Sequence, residues 1–405
     1  MQRILNQTKR VFCLSVLLLL ALLVYGSVTV PDAIVRIEDE AAPRSIYTLT
    51  ALTMQSEQEA PAVRTYDAQV RLLSVLPVKR TRLTVSERVC VVPGGDLFGL
   101  RLYTSGVIVV SLEDVQTAAG PACPGKEAGL LKGDVILTAD GTAIHDHNQF
   151  SALLADAQEN AVRLTVRRGD ETFETTLRPA FSEAYHRYLA GLWVRDSAAG
   201  IGTMTFWLPQ SGIYAGLGHA VCDADTGDVL PLFQGDIVSA VVNGCKKGAP
   251  GQAGELQGAF QGERIGSLVQ NDEDGVYGRL DSFDKEAETV PVALPREVKT
   301  GPCELVCTVD AQGPRRFSAV IEKVTQKDES GRNLVLRVTD EPLLEMTGGI
   351  VQGMSGTPVL QNGALVGAVT HVFVNDPKRG YAIFAHTMAV NCLQLELMDA
   401  TDLAS

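Results

Sequence analysis

The sequence predicts a mainly β protein, with β-rich domains behind an apolar N-terminal helix. Three observations carry this. Short apolar runs alternate with polar residues from residue 70 onward (Val70, Leu72, Leu73, Val75, then Val78, Leu83, Val85), the period of a half-buried strand. Glycine-rich punctuation such as Val91-Val92-Pro93-Gly94-Gly95 breaks these runs, as turns between strands require. Helix-like patterning is confined to a few places, chiefly the start of the chain and a tail around residues 388–398. With 405 residues, 45% hydrophobic and 20% charged, the chain has the length for two or three domains and the composition of a globular protein rather than a disordered or fibrous one.

The N-terminus reads as an export signal that stays attached. Arg3, Lys9 and Arg10 precede an uncharged stretch, residues 11–31, centred on Leu17-Leu18-Leu19-Leu20-Ala21-Leu22-Leu23-Val24. That is about the 20 apolar residues a membrane helix needs. Basic residues on its N-terminal side keep that end in the cytoplasm and send the rest across. Gly26-Ser27-Val28-Thr29 offers no clean signal-peptide cleavage site. Residues 1–31 are therefore expected to be a cytoplasmic end and a transmembrane anchor; a cleaved signal peptide has the same layout with a shorter core, and the alternative is a secreted chain. Residues 32–91 are expected to be a linker with a short β region.

Charge and cysteines exclude other classes. A net charge of −13 without a basic cluster argues against nucleic-acid binding. Of the eight cysteines none forms a Cys-x-x-Cys pair, which speaks against a disulfide scaffold and a structural zinc site. No metal and no organic cofactor is expected.

Residues 92–180 have a logic of their own. Strand-like Phe98-Gly99-Leu100-Arg101-Leu102 and Val107-Ile108-Val109-Val110-Ser111 lead to Ala128-Gly129-Leu130-Leu131-Lys132-Gly133-Asp134-Val135-Ile136. Asp146 with Gln149 marks the start of a helix over residues 148–156, and the strand Val162-Arg163-Leu164-Thr165-Val166 follows. This order resembles a PDZ domain. Such a domain takes a peptide as an added strand, here expected beside Gly99, Leu100, Arg101 and Leu102. The loop before them departs from the Gly-Leu-Gly-Phe form that captures a terminal carboxylate.

Residues 181–405 read as short strands and glycine turns, suggesting a barrel or sandwich. Within them lies Gly353-Met354-Ser355-Gly356-Thr357-Pro358, between apolar runs. Glycines around a serine allow a turn that presents the hydroxyl and aims backbone N–H groups at a forming oxyanion. Chymotrypsin-like peptidases present their nucleophile in this way, and the same residues also serve as an ordinary hairpin turn. A serine nucleophile needs a base, and the base an orienting acceptor. Of six histidines, His219 in Gly216-Leu217-Gly218-His219-Ala220-Val221 and His371, sixteen residues past Ser355, are the two candidates for the base. Asp340 or the cluster Asp223, Asp225 and Asp228 could supply the acceptor, and each also reads as turn residues. The N–H groups of Gly353 and Ser355 would form the oxyanion hole.

Four blocks make a resemblance specific. They are Val351-Gln352-Gly353-Met354-Ser355-Gly356-Thr357-Pro358-Val359, Gly367-Ala368-Val369-Thr370-His371-Val372-Phe373-Val374-Asn375-Asp376-Pro377, Arg195-Asp196-Ser197-Ala198-Ala199-Gly200-Ile201-Gly202-Thr203-Met204-Thr205-Phe206, and Gly216-Leu217-Gly218-His219. The chain resembles the stage IV sporulation protein B family of membrane-anchored, PDZ-containing serine peptidases. The resemblance runs from about residue 70 to about residue 380, with the anchor. It implies a chymotrypsin-like double β-barrel peptidase domain, with Ser355 as nucleophile, His219 as base, Asp340 as acceptor and His371 as structural. Thr357 stands where serine is common.

The resemblance also implies a role. Such a peptidase crosses the forespore inner membrane and cuts itself and a regulatory membrane protein of an intramembrane protease complex. That cut leads to activation of the late mother-cell sigma factor. The PDZ domain is implied to restrain the protease and to present targets. The competing readings are an HtrA-like quality-control protease, in which the PDZ domain follows the protease, and a catalytically inactive PDZ-bearing membrane scaffold.

Overall fold

A computed structural model describes residues 2–30, 33–38, 47–58, 63–169, 171–326 and 331–402. Contacts divide the chain into two units, Met1–Cys90 with Ala389–Ser405, and Val91–Met388.

In the first unit the apolar stretch folds as a helix, Gln2–Thr29. Its C-terminal end is tied to a sheet: the Tyr47 hydroxyl donates to the Leu22 carbonyl at 2.6 Å and the Lys79 ammonium to the Val30 carbonyl at 2.7 Å. Among the described residues no helix is long and apolar enough to cross a membrane. The region expected to be a linker with a short β region carries a four-stranded sheet of Ala33–Ile37, Tyr47–Gln58, Val63–Leu72 and Leu76–Ser86, all antiparallel except the first against the last. Its buried face in Val63–Leu72 starts at Thr65 and Ala68. These are small or polar residues, which hide a two-residue period until Val70 and Leu72 make it audible. Residues 59–62, part of the expected linker, lie outside the described residues.

The second unit is built on two rings of strands. In the first, Leu97–Leu112 pairs with Leu232–Lys246, then Glu255–Asp272, Gly275–Leu280, Ile213–Gly216 and Leu192–Trp207, which returns to Leu97–Leu112. The second is a closed barrel of Gly301–Thr308, Pro314–Val324, Leu334–Val338, Arg379–Phe384, Ala364–Val372 and Pro358–Gln361. Alternating residues fill each interior. Phe98, Leu100, Leu102, Tyr214 and Ile237 fill the first, and Leu305, Cys307, Phe317, Ile321, Leu336 and Val359 the second. Two six-stranded barrels agree with the chymotrypsin-like double barrel expected for the peptidase.

The PDZ domain sits in the connection between Leu97–Leu112 and Leu192–Trp207. Its sheet uses Val135–Ala139, Val162–Arg168 and Glu171–Leu177 against residues 107–108 of the first of these strands. Helix His147–Ala157 covers that sheet with Phe150 and Leu154. As the capping pattern predicts, the Asp146 carboxylate accepts from the Gln149 N–H at 2.8 Å.

Two expectations are corrected here. The boundary expected at residues 180–181 does not separate two folding units, because residues 97–103 are a stave of the first barrel. For the same reason Gly99, Leu100, Arg101 and Leu102 are not a peptide groove. On one side they pair with residues 198–201 and on the other with residues 235–238, so no main-chain edge is left for a ligand. The edge of the PDZ sheet beside residues 108–112 is covered too, by residues 192–195 of the chain itself. Leu192 and Val194 pack there against the PDZ core, and Asp196 accepts from the His147 N–H at 2.8 Å.

Candidate active site

The turn bearing Ser355 leaves the second barrel and is received by the first. Gly353 has φ +95° and Gly356 φ +92°, a region L side chains rarely occupy. Threonines of the Leu192–Trp207 strand grip the turn. The Thr203 hydroxyl donates to the Gly353 carbonyl at 2.9 Å, the Thr205 hydroxyl to the Gly356 carbonyl at 2.8 Å, and the Thr203 N–H to the Ser355 carbonyl at 2.8 Å. Both threonines are fully buried. Their even spacing puts them on one face of the strand; they lie in one of the four resembling blocks, with no role of their own expected there.

Ser355 donates its hydroxyl hydrogen to the Thr370 carbonyl at 2.9 Å. Among the described residues, the N–H groups of Gly353 and Ser355 have no acceptor within the chain. Such amides, held by a fixed turn, are what an oxyanion needs.

His219 follows the Ile213–Gly216 strand on a loop that crosses to the second barrel. Gly218, at φ +70°, makes the crossing; a Cβ there would lie 3.0 Å from the Thr370 side chain. The His219 Nδ1 is 2.8 Å from the Ala220 carbonyl. With Nδ1–H donating to it, Nε2 keeps its lone pair, the tautomer a base requires. Burial lowers the His219 pKa below the ordinary 6.5, against the raising effect of the Ala220 hydrogen bond. Beyond His219 the loop is clasped by Asn271. Its carbonyl oxygen accepts from the Val221 N–H at 2.8 Å and its amide donates to the Val221 and Leu230 carbonyls. No pattern in the sequence points to Asn271.

One cleft of about 500 Å³ is lined by Ser355, Gly353, His219 and His371 together. The two imidazoles stand with ring centroids 5.0 Å apart. His371 sits at the mouth. Burial of its ring, then the charges of His219 and Arg332, push its pKa down, and solvent at the mouth moderates the effect. Neither imidazole is therefore charged near pH 7. Peptide hydrolysis that needs neutral His219 should keep its rate below pH 6.5, with the acidic limb of a kcat/KM profile falling at lower pH. Stability follows the same direction. The unfolded chain takes up protons on these imidazoles first, so their contribution is present above pH 6.5 and declines as pH falls toward the lowered folded values.

Asp340 does not join this site. It ends the Leu334–Val338 strand as expected, but caps helix Glu341–Thr347. One carboxylate oxygen accepts from the Leu343 N–H and the other from the Ser318 N–H, both at 3.1 Å. It is absent from the residues lining the cleft. Asp-Glu-Pro before an apolar turn is a helix start, and that use takes the carboxylate. Replacing Asp340 by alanine should lower stability by about 1 kcal/mol, as loss of an N-cap does, while kcat/KM per folded molecule stays within about twofold. An acceptor to the base would instead cost about 10⁴-fold when lost. Thermal unfolding and peptide hydrolysis on the same sample separate the two. Asp223, Asp225 and Asp228 form the turn that was their other reading. Asp223 accepts from the Asp225 and Thr226 N–H groups, and Arg195 pairs with Asp223 at 2.5 Å and Asp225 at 2.8 Å. The orienting acceptor that the structure gives His219 is thus a main-chain carbonyl.

Known proteins resemble this chain in parts. Residues 186–389, about half of it, match the SpoIVB peptidase S55 family, and residues 115–168 match the PDZ domain. A Clostridium perfringens (strain 13 / Type A) protein named "Putative zinc metalloprotease CPE1693" is 36% identical over 64 residues, 16% of this chain. The chain spans only 19% of that relative's length. Among solved structures, the HtrA-type protease AlgW with a decapeptide is similar over 76% of this chain and 64% of its own, at 13% identity and TM-score 0.31. The Rv3671c protease in its inactive form is similar over 47% of this chain and 81% of its own, at 15% identity and TM-score 0.28. By the match that spans its second half and both barrels' strands from Leu192 onward, the chain belongs to the SpoIVB peptidase S55 family of serine peptidases.

Proposed function

We propose that this chain is a membrane-anchored serine endopeptidase with Ser355 as nucleophile and His219 as general base. The observation that carries it is the single cleft in which Ser355, His219 and the unengaged Gly353 and Ser355 N–H groups meet. In the resting state the Ser355 hydroxyl points to Thr370. A bound peptide carbonyl over the turn draws the hydroxyl toward His219. Ser355 Oγ bonds to the carbonyl carbon while its proton passes to Nε2. The oxyanion takes the two N–H groups. His219 then gives the proton to the departing amine nitrogen as the C–N bond breaks. Water repeats the sequence on the acyl-enzyme: its oxygen bonds to the acyl carbon as one of its protons passes to His219, then the acyl C–Oγ bond breaks and His219 returns the proton to Ser355 Oγ, restoring the hydroxyl and releasing the acid.

The apolar N-terminal helix with basic residues before it supports an anchor, with the peptidase outside the cytoplasm. For a forespore product this is the intermembrane space. Membership of the S55 family supports a sporulation-signalling role, with the chain itself and a regulatory membrane protein of an intramembrane protease complex as substrates. That cleavage would lead to activation of the late mother-cell sigma factor. Membership of a peptidase family supports peptide or protein partners as substrates, while a ligand of the PDZ domain would have to dock away from the two strand edges that the chain itself covers.

A fluorophosphonate probe tests the chemistry. The full chain in detergent micelles should take one label, mapped to Ser355, and should fragment itself over time. Ser355→Ala should do neither, and equal fragmentation of both chains would remove Ser355 from the role. For the signalling role, an endospore-forming host lacking its own family member should regain processing of the regulatory protein with the wild type and not with Ser355→Ala.

A further inference from the structure

The cleft that holds Ser355 and His219 also carries information about what it cuts. Its walls are mostly apolar: Ile201 and Leu217 from the first barrel, Ile350 and Val351 from the segment entering the nucleophile turn, and Val372 and Val374 from the strand leaving Thr370 and the residues after it, with the uncharged polar Gln352 and Thr370 beside them. None of the residues lining it is Asp, Glu, Lys or Arg. Ile350 and Val351 are each 2% exposed and belong to the core of the second barrel. That wall is therefore set by core packing rather than by mobile surface side chains. Val374, 48% exposed, stands at the rim.

We infer that this peptidase cuts after residues with an uncharged aliphatic side chain, selected by the wall of Ile350, Val351, Val372 and Val374. The inference rests on Ser355 being the nucleophile, as proposed above. The α-carbon of the acyl residue is bonded directly to the attacked carbonyl carbon, so its side chain starts inside the cleft containing Ser355. A charged side chain placed there loses its hydration and meets no counter-charge. The two imidazoles supply none, since both are held neutral near pH 7. An aliphatic side chain gains from transfer out of water.

A digest of a peptide library by the full chain in detergent micelles, with Ser355→Ala as the blank, reads this directly. Cuts that disappear in the blank should carry Val, Ile, Leu, Met or Ala on the acyl side. Lys, Arg, Asp and Glu should be depleted there by about tenfold or more, the scale on which pocket contacts discriminate. Ser355-dependent cuts after charged residues, or without side-chain preference, overturn the inference and leave the nucleophile assignment standing. Val374→Asp, at an exposed position that tolerates charge, should raise cutting after Lys and Arg relative to Val by about tenfold. A profile identical to the wild type's overturns the placement of that wall. If the chain cuts nothing in the library, diphenyl phosphonates of peptides ending in Val, Lys or Glu give the same reading by intact mass. Labelling of Ser355 at least about tenfold faster by the Val compound supports the inference. Equal rates overturn it. No label from any of the three overturns the serine nucleophile itself, and the inference with it.

Discussion

Alanine at His219 is expected to lower kcat/KM for peptide hydrolysis by about 10⁴-fold, as removal of the base in a serine peptidase does. Its melting temperature should change little, because among the described residues the ring's one hydrogen bond is to its neighbour Ala220. The reason for so large an effect is that a serine hydroxyl is a weak nucleophile until a base takes its proton. Of the two histidines in the cleft, His219 is the one with a main-chain acceptor on Nδ1 to fix its tautomer. His371 has no such partner among the described residues, and lies at the mouth. His371→Ala should therefore cost about tenfold or less, through lost packing against the base. A His219→Ala enzyme within about tenfold of the wild type, together with a crippled His371→Ala, would transfer the base to His371 and overturn the assignment. Hydrolysis of one peptide substrate by the three full-length chains decides it.

The second large effect is structural. Gly356→Ala should destabilise the Val91–Met388 unit by about 3 kcal/mol or more, because strain and overlap add there. An added Cβ would sit 2.0 Å from the Thr203 carbonyl oxygen and 2.5 Å from the Leu217 nitrogen, at φ +92°. Both neighbours are backbone, so no side chain can swing aside. They also lead directly to Thr203, which grips the turn, and to His219. The same substitution at Gly363, at φ +79° with nothing within 4 Å of the added atom, carries strain alone and should cost only about 1 kcal/mol. Thermal melts of the two variants side by side measure the difference. Equal melting temperatures would mean that the barrels do not press on Gly356 as described.

The sequence speaks most clearly where a local motif and its structural use coincide. Gly-Met-Ser-Gly-Thr-Pro needs a turn with left-handed glycines, and the turn is there. Gly216-Leu217-Gly218-His219 sets a candidate base beside a glycine, and that glycine takes the left-handed conformation that carries the loop across. Asp146 caps a helix because Asp-x-x-Gln is a purely local instruction. What sequence reading missed is what depends on distant strands. Leu97–Leu112 reads as a PDZ strand because the motif residues follow it closely, yet its first half finds better partners in Leu192–Trp207 and Leu232–Lys246, far along the chain. Thr203, Thr205 and Asn271 look like ordinary strand residues, since their function lies in carbonyls reached only after folding. Asp340 shows the reverse error. The family resemblance implied it as acceptor, whereas Pro342 and the apolar turn behind it mark a helix cap.

The PDZ domain connects two strands that already touch where they leave it: Leu112 faces Leu192 in the ladder. To the barrel, residues 113–191 are one long loop. A disordered loop of that length would charge the ladder an entropy that grows with the logarithm of its length. A folded insert whose ends emerge side by side removes most of that penalty before the ladder forms. The PDZ domain is thus a clasp on the first barrel, and damage to its own core should loosen a wall of the catalytic cleft without touching it. Nor is there a seam at which to cut the two apart. A fragment beginning at His186, where the family match begins, would lack the stave Leu97–Leu112 and leave Leu192–Trp207 with a bare edge, the kind of surface that recruits another chain.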